Sequence, residues 1–183
     1  EARGWPCERA GDGEIIASAS GSWAQYELRG VWRSEDQVLQ FLAFPDIKVA
    51  VEKRAAIYEA LALINEQLWL GHFELWSGSG LIVFRHAALL GEGETMSFEH
   101  AEAISEAAIE ECERFYPVFQ FVLWGGKSPT EAISAALIDS ACSKLIVSPS
   151  PTSAAWRNTI KPEPDQSSKW PSQSCSLIRP SAS

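Results

Sequence analysis

The spacing of apolar residues changes period three times between Glu14 and Phe115, and each change marks a switch of secondary structure. From Glu14 to Phe44 the period is two. "EIIASAS", "YELRGVW" and "VLQFLAF" alternate apolar and polar residues, with a Gly-Ser turn and a Ser-Glu-Asp turn between them and Pro45 at the end. Tyr26, Leu28 and Trp32 fall on one side of the second segment. Alternation of this kind over five to eight residues, bounded by turn-formers, predicts a three-stranded antiparallel meander.

From Glu52 to Trp69 the spacing becomes helical. Ile57, Leu61, Ile64 and Leu68 form a stripe that Ala55, Tyr58 and Ala62 widen, and Gly71 stops it. A helix with one apolar face must bury that face, so it is expected to lie on the sheet. "HFELW" and "LIVFRHAALL" return to period two around Ser77-Gly78-Ser79-Gly80, where glycine supplies the positive φ that tight hairpins need. After Gly91-Glu92-Gly93, Ser97 is placed to cap a long helix through Phe115, with Ala101, Ile104, Ala108, Cys112 and Phe115 on its inner line. Pro117 is expected to bend or restart the chain, "VFQFVLW" runs into Gly125-Gly126, and a last helix spans Pro129 to about Cys142. The fold class that follows is α+β: an antiparallel sheet of about five strands packed with helices, in the order β-β-β-α-β-β-α-α.

With 183 residues, 46% of them hydrophobic, the chain can build a core. Its formal charge of −9 is unevenly spread: residues 1–145 hold 22 acids and 11 bases (−11), whereas 146–183 hold two acids and four bases (+2). An acidic body repels nucleic acid and anionic membranes, so neither is expected as a partner. The final segment has ten Ser, six Pro and no apolar periodicity, and 144–183 is expected to be a disordered tail. Cys7, Cys112, Cys142 and Cys175 show no metal-binding spacing and read as thiols of a cytoplasmic protein. No signal peptide or membrane-length apolar run is present in the sequence, which also points to the cytoplasm.

"FVLWGGKSPTEA", Phe121 to Ala132, ends like a phosphate-binding loop at Gly126, Lys127 and Ser128. The position where that loop must open on glycine is Phe121. The segment reads instead as a helix start, with Ser128 as N-cap, Pro129 at the first helical position and Glu131 as the return half of a capping box. His86 shares a strand face with Ile82 and Phe84 and reads as a core histidine with a hydrogen-bond partner. His72 and His100 do not converge with it on a metal. Glu102, Glu106, Glu110 and Glu113 form an acidic stripe, read as a solvated face. No catalytic set, metal or cofactor emerges, and the chain is expected not to be an enzyme.

One positive signal remains. If Phe73, Leu75, Ile82 and Phe84 face the helices, then Trp76, Leu81 and Val83 point to the other side, with Arg85 among them. A sheet apolar on both faces needs a second cover, either another helix, such as one ahead of Glu1, or another molecule, and Trp beside Arg is a pairing that interfaces favour. Where another molecule is the cover, Trp76, Leu81, Val83 and Arg85 are the candidate partner-contact face, for a protein partner or a second copy.

"ALINEQLWLGHFELWSGSGLIVFRHAALL" (Ala62 to Leu90) and "ECERFYPVFQFVLWGGKSPTEAISAAL" (Glu111 to Leu137) resemble the YbjN domain family of bacterial sensory transduction regulators, in its alphaproteobacterial form. The motifs stand in order: Asn-Glu at the helix end, Leu-Gly-His-Phe, Phe-Arg-His, Arg-Phe-Tyr-Pro and Trp-Gly-Gly-Lys-Ser-Pro. The similarity runs from about Gly4 to Ser140. It implies a type III secretion chaperone-like fold over residues 1–143, with a helix ahead of Glu1 of which "EARGW" would be the last turn. It implies a binding role, regulatory through protein contacts, and assigns no catalytic residue. Two alternatives remain at this stage: a chaperone-like holder of a partner segment, and a nucleotide-binding protein using Lys127 and Ser128.

Overall fold

The computed structural model describes residues 1–143, with side chains through Ala136; the Ser/Pro-rich segment lies outside the described residues. The described residues form one unit. Six antiparallel strands make a single sheet: β1 (Cys7–Gly11), β2 (Glu14–Ser20), β3 (Gln25–Arg33), β4 (Val38–Phe44), β5 (His72–Trp76) and β6 (Leu81–Leu89), in spatial order β1-β2-β3-β4-β6-β5. The helices are α1 (Arg54–Asn65), entered through a single 3₁₀ turn at Val51–Lys53, α2 (Phe98–Leu123) and α3 (Pro129–Ser143).

The α+β class and the element order hold, with two differences from the sequence reading. "CERAG" is a strand paired with β2, from Cys7 opposite Ala17 to Gly11 opposite Glu14. The signal was present: Asp12-Gly13 is a hairpin dipeptide, and Gly13 adopts φ +98°, which only glycine tolerates freely. Upstream of β1, Glu1–Gly4 forms a turn closed by the Gly4 N–H on the Glu1 carbonyl at 2.9 Å. The second difference is α2, which continues through Pro117 to Leu123. An internal proline removes one helical hydrogen bond and costs about 3 kcal/mol. Val118, Phe119, Val122 and Leu123, all buried, continue the stripe of Cys112 and Phe115 and offset that loss.

Direct cross-strand pairing assigns the faces. Phe73 opposes Phe84, Leu75 opposes Ile82, Ala43 opposes Phe84 and Leu28 opposes Ala43. These residues join Ile57, Leu61 and Ile64 of α1, Phe115, Val118 and Phe119 of α2, and Ala132 and Ile133 of α3 in the main core. Phe73 is its aromatic centre, edge-on to Phe84, Phe115 and Phe119.

Asn65, the last residue of α1, closes the exposed edge of β5. Its carboxamide donates to the Phe73 carbonyl (2.9 Å) and accepts from the Phe73 N–H (2.8 Å), as a neighbouring strand would. An open strand edge invites pairing with other chains, and this amide blunts it. Asn65→Ala orphans both backbone groups, at about 1–3 kcal/mol for each. We expect about 2 kcal/mol of lost stability by urea denaturation, because the site is partly hydrated; an unchanged midpoint would show that water replaces the amide at no cost.

Candidate protein-contact surfaces

The Gly125–Glu131 segment is a helix stop followed by a helix start. Gly126, at φ +65°, turns the chain so that the Lys127 N–H reaches the Phe121 carbonyl at 3.1 Å. The Ser128 N–H donates to the Glu131 carboxylate at 3.0 Å, and the Glu131 N–H to Ser128 Oγ at 3.4 Å, which completes the capping box. Hydrogen bonds from the Ser128 hydroxyl and N–H hold the Glu131 carboxyl below the usual range. Both amides that a phosphate would use are thus engaged, and a carboxylate stands beside them. Lys127 lies against the Phe121 ring, 5.6 Å from its centre.

The histidines remain apart in function. His86 opposes Phe41 on the helix side of the sheet and is only half-buried. Burial lowers its pKa and the nearby His100 adds to the effect. No hydrogen bond to His86 occurs among the described residues, so the expected partner is missing; partial exposure leaves the ring open to water instead. Among the described residues no group of three or more His, Cys, Asp and Glu is placed to hold a metal.

The acidic stripe does more than face solvent. Arg3 bridges Glu102 and Glu106, with Glu102 Oε1 at 3.0 Å from Nη2. Two turns on, Glu113 receives the tip of the β2–β3 hairpin: it accepts from the Ser22 N–H (2.9 Å), the Trp23 N–H (3.3 Å) and the Tyr26 hydroxyl. Burial pulls the Glu113 pKa upward, but these donors outweigh it and hold the carboxyl below its ordinary value. Trp23 then stacks on Tyr116 of α2, centroids 6.2 Å apart. The spacing was visible in the sequence; its partners, distant along the chain, were not.

On the face away from the helices, Leu42, Phe44 and Val83 form a second apolar cluster with Val31, Trp76 and Leu81 packed against it. Val83 is fully buried there, whereas Trp76, Leu81 and Arg85 are half-exposed. Glu74, which the sequence reading passed over, is the hub: its Oε1 accepts from Trp76 Nε1 (2.6 Å) and from Arg85 Nε (2.9 Å) and Nη2 (2.7 Å). Trp76 meets Phe44 edge-on at 5.4 Å, and the Arg29 guanidinium lies 5.2 Å from the Phe44 ring centre. The result is a small apolar centre rimmed by ion-paired arginines, with Trp76 pinned in one orientation.

A second surface lies on the opposite face. α1 packs on β5, and α2 on β4 and β6. Over β2 and β3 the sheet floor stays open among the described residues as a largely apolar trough of about 500 Å³, lined also by Trp5, by Arg9 of β1, and by Ala101, Ser105 and Ala108 of α2. Its floor includes Ile15, Ala17, Leu28, Gly30 and Trp32. Ile15 remains 44% exposed. Alternation placed Leu28 and Trp32 on one side of their strand, but only packing shows that no helix among those described fills the space above them.

The sequence model of one family, described as "Putative bacterial sensory transduction regulator", matches residues 1–121. The chain belongs to the YbjN family. No curated protein and no solved structure matches it. Four of the motifs noted above lie within the YbjN match, and the structure gives three of them mechanical roles. Asn65 closes the β5 edge. Gly71 makes the turn into β5 at φ +72°, where a Cβ would lie 2.8 Å from the Arg85 carbonyl. Arg85 holds Glu74. Trp-Gly-Gly-Lys-Ser-Pro falls beyond the matched residues. No helix among the described residues is long and apolar enough to cross a membrane.

Proposed function

We propose that this YbjN protein is a non-enzymatic, cytoplasmic regulatory module that acts through protein–protein contacts, and that the outer face of β5 and β6 is a contact surface. The observation that carries the reading is the preset apolar centre formed by Trp76 and Leu81 over Val83, with Arg85 at its rim. Rigid aromatic anchors beside arginine supply most of the affinity in protein interfaces, because little side-chain entropy is lost when they dock. The partner is a regulated protein or a second copy of this chain. Free Cys7 and buried Cys112 suit a reducing compartment.

Trp76→Ala tests the surface. Pull-down from a bacterial lysate and light scattering of the full chain are compared with wild type, with circular dichroism to confirm an intact fold. Loss of a recovered protein or of self-association, equivalent to about 2 kcal/mol or more, is the expected result for an anchor residue. A variant that folds and loses neither removes this face from consideration. A second reading, chaperone-like holding of a partner segment, is favoured by the open trough on the other face.

A further inference from the structure

The side of α1 turned away from the core is apolar along its length. Ile57, Ala60, Leu61 and Ile64 point inward and are buried. Val51, Ala55, Tyr58 and Ala62, at spacings of four, three and four, fall nearly opposite them, because each residue advances about 100° around a helix. The sequence places Ala55, Tyr58 and Ala62 at the margin of the core stripe; the structure leaves all three exposed, Tyr58 by 49%, with Val51 at 74%. Seven residues past Ala62, beyond the helix end, Trp69 stands 97% exposed. A four-three-four apolar spacing is the seam by which one helix packs along another, and here two alanines let the axes approach on either side of Tyr58. α1 packs on β5, at the opposite end of the strand order from β1, so the seam is separate from the trough over β2 and β3.

Charge specifies the occupant. Glu52, Glu59 and Glu66 recur every seven residues along one edge of the seam, all exposed and none with an ion pair or side-chain hydrogen bond among the described residues. The cations of the same stretch do not offset them there. Lys53 and Arg54 are half-buried, and Arg54 is drawn to the β5–β6 turn: the place where a Gly80 Cβ would stand lies 3.6 Å from Arg54 Nη2 and 3.8 Å from Lys48 Cγ. Glu131 of α3, the helix packed beside α1, is taken up by Ser128. Charges at the edge of a helical seam select the partner, since opposite charge attracts and like charge excludes. A second copy of this chain would bring the same three glutamates, and an anionic surface would be repelled.

We infer that this seam seats an amphipathic α-helix of a partner protein, with large apolar residues over Ala55 and Ala62 and with Lys or Arg along the edge that meets Glu52, Glu59 and Glu66. This rests on the protein-contact reading above but uses the helix layer instead of the outer sheet face. The test uses the full chain and three synthetic peptides: one with a Leu/Ala seam flanked by Lys, its twin flanked by Glu, and a scrambled Lys peptide of the same composition. Binding is followed by calorimetry, and peptide helicity by circular dichroism.

The Lys peptide is expected to bind saturably at one site per chain and to gain helicity, about tenfold tighter than the Glu twin, while the scrambled peptide does not saturate. Tyr58→Ala should weaken the Lys peptide by about tenfold or more, as expected for an anchor, whereas Leu89→Ala, also on a highly exposed apolar residue, leaves it unchanged. Glu52→Gln, Glu59→Gln and Glu66→Gln combined, all at the surface, should close most of the gap between the twins and keep the test decisive if Tyr58→Ala disturbs the fold. Equal binding of the twins, saturable binding of the scrambled peptide, no saturable binding at all, or indifference to both sets of substitutions overturns the inference. Trp76→Ala measured in parallel separates the two surfaces: it is expected to leave peptide binding intact, and loss of lysate partners there with no peptide binding here would reject the α1 seam alone.

Discussion

Phe73→Ala is expected to remove about 3–5 kcal/mol of stability, the range for truncating a buried phenylalanine whose surroundings cannot collapse into the space. Phe73 is only 2% exposed, and its ring meets Phe84 at 5.1 Å, Phe119 at 5.5 Å and Phe115 at 6.0 Å, all edge-on. It is thus the point where β5, β6 and α2 share one contact. Edge-to-face pairs contribute about 0.5–1.5 kcal/mol each beyond burial, and three are lost together. The neighbours cannot close the gap, because Phe84 is held in the sheet and Phe115 and Phe119 are successive turns of one helix. Since domains of this kind are stable by about 5–15 kcal/mol, the variant is expected to be partly unfolded at modest denaturant. Phe73→Leu, which keeps much of the volume, should lose far less. Guanidinium denaturation decides it: a loss below about 1 kcal/mol would mean that the aromatic cluster is peripheral.

The second large effect falls on Glu113. In Glu113→Gln the side-chain amide places N–H donors against the Ser22 N–H, while one oxygen remains to serve Trp23 and Tyr26. Hydrogen bonds to a charged acceptor contribute about 1.5–3 kcal/mol, and because this carboxylate is partly exposed the expected loss is about 2 kcal/mol. The pH dependence identifies the cause. The folded pKa lies below the unfolded Glu value of about 4.3, so the stabilisation is complete above that value and disappears as the pH falls through the folded pKa. Tyr26 stays neutral throughout, since burial and then the facing Glu113 push its pKa upward. The gap in Tm between wild type and Glu113→Gln should therefore be widest near neutrality and narrow below about pH 4. A gap that is constant with pH would show that the amide disturbs packing and that the charge contributes nothing.

The hairpin that Glu113 holds also carries part of the trough floor, since β2 and β3 supply Ile15, Ala17, Leu28 and Gly30. Weakening this latch should loosen that floor, while the β5–β6 face, held by Glu74 and Asn65, is unaffected.

Local chemistry in the chain determined much of the architecture. Alternation located β2 through β6 to within a residue or two, because each strand is bounded by turn-formers and buries one face. Ser97 and Ser128 marked the starts of α2 and α3, because a side-chain oxygen there satisfies an amide that no helical carbonyl can reach. The apolar centre of the outer face was visible for the same reason of strict parity, although Glu74, a charge amid hydrophobes, looked like an ordinary surface residue. Tertiary structure alone decided the rest. β1 is short and exposed on every residue, so no alternation announces it; only the Asp12-Gly13 turn hints at it, and pairing with β2 defines it. Pro117 stays helical because burial of the turns beyond it outweighs one lost hydrogen bond. The acidic stripe acquired Arg3 and the hairpin tip as partners roughly ninety or more residues away in sequence. The trough lies where the described helices cover only part of a face whose residues, one by one, look like core. Which apolar residues find a cover depends on where distant elements pack, and that information does not reside in any local stretch of the chain.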